Sequence, residues 1–264
     1  GNTINFANKV DFSVSTSPVF IAIGDINGDG KPDIIAPNYG SNTISILKNI
    51  STMGNINFDS KVDFATGAGP NAVAIGDING DGKLDVIVVN INSNTVSVLI
   101  NNSSVSSISL ASKVDFTTGS YPTGVVVGDI DKDGKLDIAT SNYLANTASI
   151  LLNTSNSNTI SFATKIDFAT GAGPNSIAIG DIDGDGKLDL TTPNSSTNTF
   201  SVLRNTSTSG TIAFATKVDL TTGSAPYFVA LGDIDGDGKP EVVTSNYTPN
   251  TVSVVKNLSI SEIG

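Results

Sequence analysis

The chain has 264 residues with 14 Lys plus Arg against 25 Asp plus Glu, and the net charge of −11 argues against a nucleic-acid partner, which needs clustered cations. Cys and His are both absent, which excludes disulfides, thiolate nucleophiles, imidazole bases and the usual zinc ligands. No run approaches 18 apolar residues, so no membrane insertion is expected, and no leader pattern is present, so the sequence reads as a soluble, trimmed segment.

The chain opens on alternating apolar residues, Ile4 to Phe12, and then enters a repeat. GDINGDGKPD from Gly24 returns as GDINGDGKLD from Gly76, GDIDKDGKLD from Gly128, GDIDGDGKLD from Gly180 and GDIDGDGKPE from Gly232, each step being 52 residues. Pro18, Pro70, Pro122, Pro174 and Pro226 keep the same interval. The second unit illustrates the elements. Asn71 to Gly76 predicts an innermost strand, apolar on both faces and crowded. Asp77 to Asp85 is an acidic loop, Val86 to Val89 a second strand, and Thr95 to Leu99 a third. Ile108, Leu110, Val114 and Phe116 share one parity on a predicted fourth strand, with Lys113 and Asp115 opposite, where charge protects an exposed edge. The last such element is a third strand, Thr251 to Val255.

Short strands with a period near 50 predict an all-β protein, a five-bladed β-propeller of four-stranded antiparallel blades, forming a single domain over residues 1–264. Because the chain opens in a fourth strand and closes after a third, the N-terminal strand is expected to complete the last blade and close the ring. Solenoids instead need distinct end caps.

The loops read Asp25-Asn27-Asp29-Asp33, Asp77-Asn79-Asp81-Asp85, Asp129-Asp131-Asp133-Asp137, Asp181-Asp183-Asp185-Asp189 and Asp233-Asp235-Asp237-Glu241. Oxygen donors at positions 1, 3, 5 and 9 suit a hard cation, with the backbone carbonyl of Lys31, Lys83, Lys135, Lys187 or Lys239 at position 7. Ca²⁺ is the expected ion, about five per chain. Gly30, Gly82, Gly134, Gly186 and Gly238 at position 6 supply a sharp bend. These loops hold 18 of the 25 acids, and five Ca²⁺ would bring the charge from −11 to −1. The ions are expected to be structural, and their typical affinity in extracellular modules implies an extracellular or cell-surface location.

The segment VAIGDINGDGKLDV from Val73, followed by NTVSVL from Asn94, resembles the FG-GAP or VCBS repeats of integrin α-subunits and bacterial surface proteins. The resemblance covers essentially the whole chain and implies Ca²⁺-stabilised blades and a role in adhesion or carbohydrate binding. It also implies seven blades as the usual number, against five copies here. Lys132 replaces a loop Gly at position 4, and Glu241 replaces the final Asp, so altered affinity is expected at those two loops.

Ligand sites should break the repeat. Tyr39, Tyr143 and Tyr247 share one register, while Tyr121 and Tyr227 flank the repeated Pro, near Phe20 and Phe228. These five Tyr are candidate contacts for a sugar face; packing between blades or covering the rim is the plainer reading, and the heavier one. Asn42, Asn94, Asn146, Asn198 and Asn250 are expected to make turns. Outside the loops the acids are Asp11, Asp59, Asp63, Asp115, Asp167, Asp219 and Glu262, five of them a repeated Lys-x-Asp position, and Arg204 has no evident partner, so catalysis is not expected. The expected function is a non-catalytic, calcium-stabilised extracellular module that binds a glycan or a cell-surface protein. The alternative is a structural or designed repeat scaffold with no dedicated ligand.

Overall fold

The β-branched runs of the repeat fold as expected into strands. In the computed structural model, which describes residues 4–156 and 159–259, five antiparallel sheets form, with no helix among the described residues. The first sheet runs β1 (Ala22–Gly24), β2 (Asp33–Asn38), β3 (Thr43–Leu47) and β4 (Val62–Ala65). The second runs β5 (Pro70–Gly76), β6 (Asp85–Asn90), β7 (Thr95–Leu99) and β8 (Val114–Thr117). The third holds β9 (Pro122–Gly128), β10 (Asp137–Asn142), β11 (Thr147–Leu151) and β12 (Ile166–Ala169). The fourth holds β13 (Ala178–Gly180), β14 (Asp189–Asn194), β15 (Thr199–Leu203) and β16 (Val218–Thr221). The fifth has three strands, β17 (Pro226–Gly232), β18 (Glu241–Asn246) and β19 (Thr251–Val255).

Two expectations differ from the structure. Residues 4–12 form no strand, and among the described residues no fourth strand pairs with β19, so closure of the ring by the N-terminal segment is not seen. The fourth strands are also shorter than the shared parity suggested. Ile108 and Leu110 lie in the hairpin before β8, whose arms meet through isolated bridges such as Asn101 with Leu110 and whose apolar side packs on the core between the first and second sheets. The most buried strand of the second sheet is its second one. All six residues of β6 are buried, whereas β5 alternates between buried and half-buried. A strand sandwiched by neighbours on both faces needs apolar residues on both, which Val86 to Val89 supply.

The core lies between successive sheets. Ile26, Ile35, Ile44 and Ile46 of the first unit pack on Val73, Val86, Val88 and Leu99 of the second. The same registers meet again between the second and third sheets. A second bond type fixes the spacing. The Asn153 side chain, buried beside β11, donates to the Ile78 carbonyl of the preceding unit at 2.9 Å and to its own Leu136 carbonyl at 2.9 Å. Asn101, Asn205 and Asn257 repeat the cross-unit bond to Ile26, Ile130 and Ile182.

Within each sheet a Ser at the centre of the third strand gathers a polar chain. Ser97 accepts from Asn90 and donates to Asp115 of β8 at 2.6 Å. Asp63, equivalent to Asp115, is affected by burial, which alone would raise its pKa. Hydrogen bonds from Lys61, Ser45 and Ser15 outweigh that and hold it below the usual value. The predicted edge charges are therefore ion pairs, Lys61 with Asp63 and Lys113 with Asp115.

Replacing Asn153 by Ala strands two carbonyls, one of them across the sheet interface, and should cost about 2 kcal/mol or more. Among the described residues the Asn49 side-chain amide donates to the Pro32 carbonyl of its own unit and to no carbonyl of another unit, so Asn49→Ala should cost about half as much. Equal losses in chemical denaturation would contradict the cross-unit role.

Candidate functional site

Each acidic loop is folded by its own first carboxylate. Asp77 accepts the amides of Gly80, Asp81 and Gly82 at 2.8, 3.0 and 2.7 Å. Asp25, Asp129, Asp181 and Asp233 likewise accept the amide of the position-6 glycine. The bend requires a left-handed backbone at position 6, where Gly82 has φ 84° and Gly134 φ 89°. Position 4 is left-handed too, and there Lys132 sits at φ 62° where the other loops have Gly. A side chain in that region costs about 1 kcal/mol. Lys132→Gly should therefore raise stability by about 1 kcal/mol in thermal or chemical denaturation; a destabilised variant would contradict the strain.

The position-9 acid is the first residue of the second strand and is buried. Asp137 accepts the Ile130 amide at 3.0 Å and the Asn153 amide at 2.8 Å, joining loop, strand and hairpin. Asp33, Asp85 and Asp189 repeat both bonds. Glu241 does the same with Ile234 and Asn257. Burial pushes the Asp137 carboxyl up to about 7, helped by the negative charges of Asp131 and Asp133 and opposed by its two amide donors. Asp85 and Asp189 rise to about 6 for the same reasons, and Asp33 is raised as well.

The carboxylates converge. One oxygen each from Asp129, Asp131 and Asp137 lie within 4.8 Å of one another, and the sets Asp181, Asp183, Asp189 and Asp233, Asp235, Glu241 do likewise. Such an all-oxygen, negatively charged set fits a hard divalent cation. In the first two loops the third position is Asn27 or Asn79, a neutral oxygen, which leaves one carboxylate fewer. Asp29, Asp81, Asp133, Asp185 and Asp237 stand outside the clusters and bond the amide of Lys31, Lys83, Lys135, Lys187 or Lys239. Those Lys have a side-chain role the spacing did not reveal. Lys135 Nζ, for example, reaches the Ser155 carbonyl at 3.0 Å and pins the loop to the adjoining hairpin. Arg204 also finds a partner, Asp183 at 3.8 Å, and Lys256 pairs with Asp235.

The sign of the pH dependence follows from the raised values. Asp85, Asp137 and Asp189 bind protons more tightly when folded than in the unfolded chain, where a carboxyl titrates near about 4. Their contribution is therefore fully favourable at low pH and declines as pH rises through about 4–7. In excess chelator, the melting temperature should fall between about pH 5 and about pH 8. A rise across that window would contradict the burial of these groups.

The five Tyr meet elsewhere, at one cavity of about 980 Å³. Tyr39, Tyr143 and Tyr247 follow β2, β10 and β18, whereas Tyr121 precedes β9 and Tyr227 lies in β17. Tyr121 is held at φ 61° by its amide bond to Asn94 Oδ1 at 2.8 Å, and its ring lies 5.9 Å from that of Tyr143. Asn42, Asn94, Asn146, Asn198 and Asn250 do make turns, with φ of 54–57°. Phe20, Phe228 and Leu144 add apolar wall; Asn71, Thr123, Asn175 and Ser176 add polar groups; among the described residues no Asp, Glu, Lys or Arg lines the cavity. Asn71, Thr123 and Asn175 were not singled out from the sequence. Their signal was there: the residue after the repeated Pro is Val19, Asn71, Thr123, Asn175 or Tyr227, a variable position in a repetitive strand.

No curated protein matches the sequence. The fold is similar to that of BBS1N, solved in complex with ARL6DN, at 11% identity and TM-score 0.60, covering 94% of this chain and 68% of that one. A candidate 6-phosphogluconolactonase from Bacteroides fragilis is similar at 15% identity and TM-score 0.61, covering 88% of this chain and 64% of that one. Another from Bacteroides uniformis gives 15% and 0.62, covering 90% and 65%. The chain thus spans about two thirds of the length of these structures, and at such identities the likeness concerns the fold alone. The sequence profile of the FG-GAP-like repeat matches residues 25–88, 77–140, 139–192 and 191–244. With the acidic loops, the sheet order and this match agreeing over most of its length, the chain belongs to the FG-GAP-like repeat family and has its β-propeller fold.

Proposed function

We propose that the chain is a non-catalytic, calcium-stabilised extracellular module whose aromatic cavity binds an uncharged glycan or the neutral surface of a cell-surface protein. The observation that carries the reading is the convergence of Tyr39, Tyr121, Tyr143, Tyr227 and Tyr247 on a single cavity with no charged side chain in its wall among the described residues. Tyr rings offer an apolar face for the C–H face of a sugar, and the amides and hydroxyls of Asn71, Thr123 and Asn175 offer hydrogen bonds around it. The five loops would each hold one Ca²⁺, keeping the inner strands that carry these residues in place. Catalysis is not part of the proposal: the described residues that line the cavity include no Asp, Glu, Lys or Arg to serve as a proton-transfer group matched to neutral pH.

Binding to a panel of neutral and acidic glycans tests the reading. Neutral glycans should bind, acidic ones should not, and Tyr121→Ala with Tyr143→Ala should weaken binding by about tenfold or more, the loss of about 1.4 kcal/mol. Silence across the panel, with no protein captured through the same residues, would favour the scaffold with no ligand.

A further inference from the structure

The third and fourth acidic loops carry the same carboxylates in the same order, and in each of them the acids at positions 1, 3 and 9 converge. Lys135 and Lys187 also occupy matching places, reaching the carbonyls of Ser155 and Ser207 in the adjoining hairpins. By donor chemistry alone the two loops are equivalent. What differs is the positive charge that the chain brings to them.

The first cation crosses a unit boundary. Lys132 stands at position 4 of the third loop, where the other loops have Gly28, Gly80, Gly184 and Gly236. All five residues are left-handed, with φ 62° at Lys132 and 72–81° at the glycines, so a long side chain is held where Gly is the unstrained choice. Its ammonium reaches the next loop. A Cβ added to Gly186, at position 6 of the fourth loop, would lie 3.3 Å from Lys132 Nζ. At Gly82 and Gly134, the same position in the second and third loops, an added Cβ would meet nothing within 4 Å. Between the first and second loops the corresponding gap is an open cavity of about 210 Å³, lined by Gly28 and Gly82 among others. Lys132 thus occupies, between the third and fourth loops, a space left open between the first and second. The Gly186 amide donates to Asp181 at 2.8 Å, so the ammonium stands beside the residue that closes the fourth loop on its first carboxylate.

The second cation belongs to the fourth unit. Arg204, at the exit of β15, lies 3.8 Å from Asp183. One and two periods earlier the position holds Leu152 and Ile100, which pack against the apolar cores. Asp131, the counterpart of Asp183 in the third loop, instead receives a neutral donor, the Gly210 amide, at 2.6 Å.

We infer that Lys132 and Arg204 set the affinity of the fourth loop: they oppose a divalent cation there, so this loop takes up Ca²⁺ more weakly than the third and fills after it. The inference rests on the reading of the loops as calcium sites. Neither side chain has a lone pair to offer the ion, so both act through charge alone. A unit positive charge a few ångströms from a divalent ion lowers its affinity by about tenfold even in a water-like medium. Two matching sets of donors therefore respond over different ranges of Ca²⁺ concentration.

The amide of each position-6 glycine reports its own loop, because it bonds to that loop's first carboxylate. Gly82, Gly134 and Gly186 can be followed by heteronuclear NMR while Ca²⁺ is added to the metal-free chain. The Gly186 midpoint should lie about tenfold or more above that of Gly134. Lys132→Gln and Arg204→Gln each remove one charge from an exposed side chain, and each should lower the Gly186 midpoint by about threefold or more. Lys132→Arg keeps the charge and should leave that midpoint in place, while added salt should narrow the gap in the wild type. Equal midpoints at Gly134 and Gly186, or a Gly186 midpoint unmoved by both Gln variants, would overturn the inference and leave the loops as calcium sites. A titration into millimolar Ca²⁺ that moves none of the three glycines would overturn it together with the calcium reading.

Discussion

A carboxylate buried at the ninth position of each loop sits where three backbone segments meet, and its two oxygens are divided between them. In the third unit Asp137 takes the amide of Ile130 with one oxygen and that of Asn153 with the other. Ile130 belongs to the acidic loop, Asn153 to the exit of β11, and Asp137 itself opens β10. Burying one negative charge beside others is costly unless something positive neutralises it. The cluster of Asp129, Asp131 and Asp137 makes a divalent cation the natural counterpart, with hydrogen bonds holding the carboxylates in place to receive it.

From that corner the order spreads outward. The same Asn153 whose amide is held by Asp137 sends its side chain to the carbonyl of Ile78 in the preceding unit. Asp131, buried in the loop, accepts the Gly210 amide of the following unit at 2.6 Å. The third unit therefore couples through its loop and the adjoining Asn153 to the sheets on either side. The cavity is a consequence. Asn71 Nδ2 binds the Thr123 carbonyl at 2.8 Å and Thr123 Oγ1 binds the Pro174 carbonyl at 3.0 Å, so its wall is a run of bonds between neighbouring inner strands.

Much of this was legible in the residues. The 52-residue interval places the strands, and Thr95 to Leu99 coincides with β7. The position-6 glycines and the turn-forming Asn show the left-handed backbone their types suggest. What stayed hidden depends on contacts between units. Alternation over Ile108 to Phe116 cannot separate a strand from a hairpin whose apolar residues Ile108 and Leu110 pack on the core shared with the preceding sheet. The Lys at position 7 was read for its carbonyl, since nothing in a linear pattern announces that Lys83 Nζ reaches the Ser103 carbonyl at 3.1 Å. Ring closure was inferred from the order of elements, and order does not specify the angle between successive sheets. The convergence of Tyr121 and Tyr143 likewise depends on neighbouring sheets placing two different loops at one mouth.

Calcium dependence of unfolding tests the central claim most directly. With each loop at about ten times its dissociation constant, linkage contributes about 1.4 kcal/mol per site, or about 7 kcal/mol for five. For a chain of this length that corresponds to a melting temperature higher by roughly 15–25 °C in Ca²⁺ than in excess chelator, reversible on adding the ion back. A melting curve unchanged by chelation, in protein shown to be free of bound metal, would contradict the account.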